Sequence, residues 1–174
     1  MRKRFEIQLE LGATPIEEIE IPARSRDELP PVMRALKYIY TTPAIHREVF
    51  QVLEQHIKMF KMGCLGMSLW EIMVLGVVRL TLDIDYDRLE HIANYDLLVR
   101  QFLGVDSYAR EPKKYQLQTL KDNVGLLTEE LLVEINRIVV KTGHKITCKK
   151  KDDVLWVKVD TFPVQSNVHF PTDV

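Results

Sequence analysis

The chain has 174 residues, 46% of them hydrophobic, which is enough to bury a core and too much for global disorder. Its net charge of −1 excludes an overall basic field as the means of holding nucleic acid, so any such contact must come from local patches. The two cysteines, Cys64 and Cys148, stand far apart with no second pair or His at zinc-ligand spacing, which argues against a metal finger or disulfide framework and fits free thiols in a reducing cytoplasm.

Residues 1–29 mix charge with Gly12, Pro15 and Pro22 and read as a loosely held extended arm. Met1 to Phe5 is basic, but Glu6, Gln8 and Glu10 follow, so no apolar signal-peptide core forms. Pro30 and Pro31 open a helix with Val32, Leu36, Ile39 and Tyr40 on one face. Thr42-Pro43, a cap followed by proline, starts a second helix whose stripe of Ile45, Val49, Leu53, His56, Ile57 and Phe60 runs to about residue 60. A loop from Lys61 to Gly66 precedes the most apolar segment, where Ser68 and Glu71 have the spacing of a capping box. From Leu69 to Leu82, Trp70, Met73, Val74, Val77 and Val78 cover almost every side, the mark of a central buried helix, and Gly76 suits a close helix approach. This segment contains Glu71 and Arg79 and is too short to span a bilayer, so a soluble protein without a membrane partner is expected.

Asp83 and Asp85 break the run and cap a short helix from Tyr86 to Ala93; a second, from Asp96 to Phe102, ends at Gly104. Short helix, tight turn, short helix is the helix-turn-helix pattern, with Tyr95 at the turn and Arg100 and Gln101 suited to base edges or phosphates. The same arrangement also recurs in helical bundles, with Arg100 merely solvated. Residues 105–114 form a polar connection in which Arg110, Lys113 and Lys114 make a small basic cluster, a phosphate contact or a plain solvated loop. A helix from Tyr115 to about Asn123 leads to a Thr128-capped amphipathic helix that Gly143 should end. Its Leu131, Leu132, Ile135, Ile138 and Val139 are expected inward, and its Glu129, Glu130, Glu134, Arg137 and Lys141 outward. This pair is an alternative helix-turn-helix, but its glutamates would repel phosphate.

Residues 145–153 are a basic linker in which Lys149, Lys150 and Lys151 either follow a DNA backbone or only solvate the chain. Val154 to Val159 is β-branched enough to be a strand with Asp160 at its end, and Val164 to Phe170 alternates as a returning strand would, giving a short C-terminal β-hairpin. Pro163 removes one ladder hydrogen bond.

Asp160-Thr161 followed by Asn167-Val-His-Phe-Pro-Thr-Asp173 resembles the first catalytic block of bacterial insertion-sequence transposases of the DDE type. Weaker matches precede it in the same order: Leu29 to Leu36, Met67 to Ile72, Asp85 to Leu89, Arg100 to Gly104 and Leu117 to Asp122. Pro163 and Gln165 depart from the family, which more often has an aliphatic residue and a Glu there. The resemblance implies a mainly α protein: a multi-helix DNA-binding domain over 30–144 and, over 154–174, the truncated start of a ribonuclease-H-like α/β domain. It implies that Asp160 is the first of three acidic ligands for Mg2+, the other two lying beyond residue 174. The expected partners are double-stranded DNA at the element's terminal repeats, and a second copy or a full-length transposase, in the bacterial cytoplasm at the nucleoid. A fragment with one carboxylate is expected to hold no metal stably and to be inactive alone. The alternative is a non-catalytic helical remnant that dimerises or interferes with an intact transposase.

Overall fold

Prolines and short polar caps punctuate this chain into helices, and the computed structural model, which describes residues 14–57, 66–105, 110 and 112–146, is mainly helical. Among the described residues a 3-10 turn, Ile16–Glu18, precedes seven α-helices: α1 Leu29–Thr41, α2 Pro43–His56, α3 Leu69–Thr81, α4 Tyr86–Tyr95, α5 Leu97–Phe102, α6 Leu117–Val124 and α7 Glu129–Ile146. No strand occurs among these residues. The expected β-hairpin, residues 147–153 of the linker and Asp160 lie outside them, while the linker's first two residues belong to α7.

Thr42 alone joins α1 to α2. Its N–H donates to the Tyr38 carbonyl and its own carbonyl accepts from His46 N, so a single extended residue closes one helix and opens the next. The expected cap is therefore a backbone device, because the Thr42 hydroxyl makes no capping bond and Pro43 supplies the pre-set first turn. Ser68 and Glu71 do form the reciprocal capping box at α3. Asp85 and Asp96 cap α4 and α5 by accepting from Arg88 N and Val99 N, each at 2.8 Å. Gly104, at φ 66, ends α5 in a left-handed turn, with Val105 N bonded to the Arg100 carbonyl and Gly104 N to that of Gln101.

Helix α3 is the hub, touching α1, α2, α4 and α6. Trp70, Ile72, Val74, Leu75 and Val78 are fully buried on it, and burial of each such side chain contributes about 1.5–3 kcal/mol. The Trp70 indole N–H reaches the Phe102 carbonyl at 2.8 Å, tying α3 to the end of α5. Gly76 lets the α6–α7 connection come close, since a Cβ there would overlap the Leu127 side chain.

Three expectations change. The arm is anchored from residue 16 on, because Ile16 and Ile19 are buried against α1 and Lys37 Nζ holds the Ile19 carbonyl at 2.9 Å. Gly143 does not end α7, which continues to Ile146; without the left-handed backbone that Gly104 adopts, a glycine costs a helix only about 1 kcal/mol. Val139 is exposed, since α2 takes up the side of α7 that carries Leu131 and Ile135.

Candidate nucleic-acid interface

The α4–α5 pair turns on a single residue, Asp96, whose N–H closes α4 on the Ile92 carbonyl and whose side chain opens α5. Helix α5 has six residues, and Val99, Arg100 and Phe102 point inward. Arg100, expected to face DNA, is 5% exposed. Its Nη1 donates to the carbonyls of Ala93 at 3.4 Å, Asn94 at 3.2 Å and Lys113 at 3.3 Å. The guanidinium thus joins the end of α4, the body of α5 and the chain entering α6. This is a correction with a plain cause: a six-residue helix packed on the core by Val99 and Phe102 carries residue 100 inward with them.

Around Arg100 lies a polar network that pins residues 113–117 to the helical body. The Asn94 amide bonds the Tyr115 backbone from both sides, Nδ2 to its carbonyl and Oδ1 from its N–H, each at 2.8 Å. Glu90 Oε1 accepts from Leu117 N at 3.1 Å and so caps α6 from outside. Glu71, buried on α3, accepts from Ser68 N at 2.7 Å, from the Tyr115 hydroxyl at 2.6 Å and from Lys113 Nζ. Burial pushes the Glu71 carboxyl up, but the Lys113 charge and the hydrogen bonds from Lys113, Tyr115 and the Ser68 backbone outweigh it and hold the group below its ordinary value. Burial, with the Glu71 charge next, drives the Tyr115 hydroxyl upward, so it remains a donor.

Sequence reasoning saw Glu71 only as half of a capping box and did not find its partners at Lys113 and Tyr115. The signal was a carboxylate inside the most apolar helix, a group that costs several kcal/mol to bury unless it is paired.

Outside this network the surface is polar with apolar points. Tyr95 is 72% exposed and Leu97 50%, and with Asn94, Arg100, Pro112 and Lys114 they line a groove of about 310 Å3. Gln101 is half-buried, Lys114 and Arg110 are exposed, and Lys113 turns its charged end to Glu71 while half its side chain meets solvent. Of the expected DNA contacts, Lys114 and Arg100 line this groove, Lys113 is drawn toward Glu71, Gln101 is half-buried on α5, and Lys149, Lys150 and Lys151 lie outside the described residues. Asp87 and the capping Asp85 are exposed at the other, N-terminal end of α4, so the exposed surface of this pair is of mixed sign.

Among the described residues no three His, Cys, Asp or Glu side chains gather as a metal cage requires, and no described helix is long and apolar enough to cross a membrane. Comparison of the chain with protein-family models, curated proteins and solved structures gave no match.

Proposed function

We propose that the chain is the helical, DNA-end-binding part of a DDE-type transposase, with Asp160 the first of the carboxylates that would hold Mg2+ in the complete enzyme. The observation that carries this reading is the order of the sequence blocks, from Leu29-Pro-Pro31 through Asp85-Tyr-Asp87 and Arg100-Gln-Phe102 to the Asp160 block. A mainly helical body agrees with it at the level of fold class. The DNA contact is assigned to α5 and the chain that follows it: Lys114 and Tyr95 line the α4–α5 groove, Tyr95 offering a flat apolar face, Arg110 is exposed and Gln101 half-buried on α5. Lys113 contributes less, because its ammonium is engaged with Glu71.

Arg110→Ala and Lys114→Ala test this assignment. Each is expected to weaken duplex binding uniformly across sequences and to reduce the salt slope by about 1, while Gln101→Ala changes sequence preference. Full binding by all three variants would refute it. The second reading, a helical adaptor that pairs with other protein, is favoured by one observation, the exposed valines on α7.

A further inference from the structure

Helix α7 packs on α2 through Leu131 and Ile135, with Ile138 half-buried beside them. Its opposite side carries Val133, 45% exposed, and Val140, 46% exposed, seven residues and so about two turns apart, one above the other. Valine is a poor choice for a solvated helix position, since its branched side chain is held rigid there without burying anything. Beside Val133 the surface forms a shallow groove of about 320 Å3 lined by Glu129, Glu130, Val133, Glu134 and Arg137.

Charge is ordered along and beside this face, with Glu134 turned to His56 of α2 at 3.4 Å and Lys141 at the edge next to Tyr38 and Glu48. Glu129, Glu130 and Glu134 occupy the first half of the helix, and Arg137 and Lys141 the second. A two-fold axis passing beside Asn136 and Arg137 meets both requirements together. It lays Val133 of one copy on Val140 of the other, and Val140 on Val133. It also brings Glu130 of each copy within about two residues' rise, or 3 Å along the axis, of the other copy's Lys141. The parallel arrangement lacks this match, because it brings each flanking residue level with its own copy across the seam, and Glu130 then meets no Lys141.

We propose that this face is the contact between two copies of the chain, paired antiparallel through α7. The pairing uses the same patch on both copies and closes at two, so it yields a dimer and not a filament. Two valines and flanking charges make an interface below the roughly 1,200 Å2 of ordinary stable complexes, so the dimer dissociates on dilution. The proposal goes beyond the DNA reading and does not rest on it.

Sedimentation velocity of the full chain over a concentration series tests it, in low salt and without DNA. The wild type is expected to pass from monomer to dimer as concentration rises. Glu130→Lys puts two lysines together at each end of the interface, and Lys141→Glu puts two carboxylates together. Each alone should weaken the dimer about tenfold, two exposed pairs having turned from attraction to repulsion. The double variant Glu130→Lys/Lys141→Glu restores opposite charges and should recover the dimer. An equimolar mixture of the two single variants should also pair, as a heterodimer. Circular dichroism of each variant separates lost pairing from lost folding, and the recovery arms cannot be met by a misfolded chain. A wild type that stays monomeric throughout, or single variants that dimerise as the wild type does, would overturn the proposal. So would recovery absent from both the double variant and the mixture.

Discussion

Replacing Glu71 by Ala removes the acceptor that three donors share: Ser68 N, the Tyr115 hydroxyl and Lys113 Nζ. The Lys113 ammonium can turn to water, because its side chain is 54% exposed, so its loss is screened and adds little. Tyr115 is 3% exposed and Ser68 9%, and their donors have no such escape. Each buried donor left without an acceptor costs about 1–3 kcal/mol, and with the cavity at the side chain the substitution should cost about 3–5 kcal/mol in all. Glu71→Gln keeps one acceptor oxygen and should cost about 1–2 kcal/mol. Urea unfolding at neutral pH, read by helical circular dichroism, measures both. The pH dependence follows from the lowered carboxyl. A group whose folded pKa lies below its unfolded one stabilises the fold above the unfolded value, here the ordinary 4.5, and loses that contribution as pH falls through the folded value. The wild type should therefore lose its advantage over Glu71→Gln only in acid below about pH 4.5, with none lost between pH 5 and 8. Equal stability of Glu71→Ala and wild type at neutral pH would refute the argument that this carboxylate clamps residues 113–115.

Arg100→Met should lower stability by about 2–4 kcal/mol in the same urea assay, because the carbonyls of Asn94 and Lys113 lose a charged donor. Its DNA affinity per folded molecule, from filter binding under native conditions, should equal that of wild type. Gly76→Ala gains about 1 kcal/mol of helix propensity but forces Leu127 aside at an overpacking cost of about 1–3 kcal/mol, so thermal melts should report a net loss. Asp83, at φ 47, closes α3 in the left-handed region; Asp83→Gly should melt at or slightly above wild type and Asp83→Val clearly below it.

Local signals in this chain carried well from sequence to fold. Ser68 with Glu71, Asp85, Asp96 and Gly104 each act through bonds to neighbours within five residues, and each does what its spacing predicts. The apolar coverage of Leu69 to Leu82 likewise marked the central helix. What stayed hidden was long-range. Glu71 meets Tyr115 across 44 positions and Arg100 meets the Lys113 carbonyl across 13, and no periodicity records such meetings. Arg100 illustrates the cost. Its charge suggested an outward phosphate contact, whereas the inward Val99 and Phe102 beside it settle which way that short helix faces. Gly143 failed for another reason: glycine permits a left-handed stop but does not compel one.

We propose above that this helical body recognises specific DNA. Fluorescence anisotropy with duplexes taken from the terminal repeats flanking the gene, against scrambled duplexes of equal length, tests it across a salt series. Such recognition predicts a preference for the repeats of about tenfold or more that persists at physiological salt, with affinity for both duplexes lowered by Arg110→Ala and Lys114→Ala and the preference itself lowered by Gln101→Ala. Equal affinity for both duplexes, vanishing steeply as salt rises, would contradict it and leave the protein–protein reading in its place.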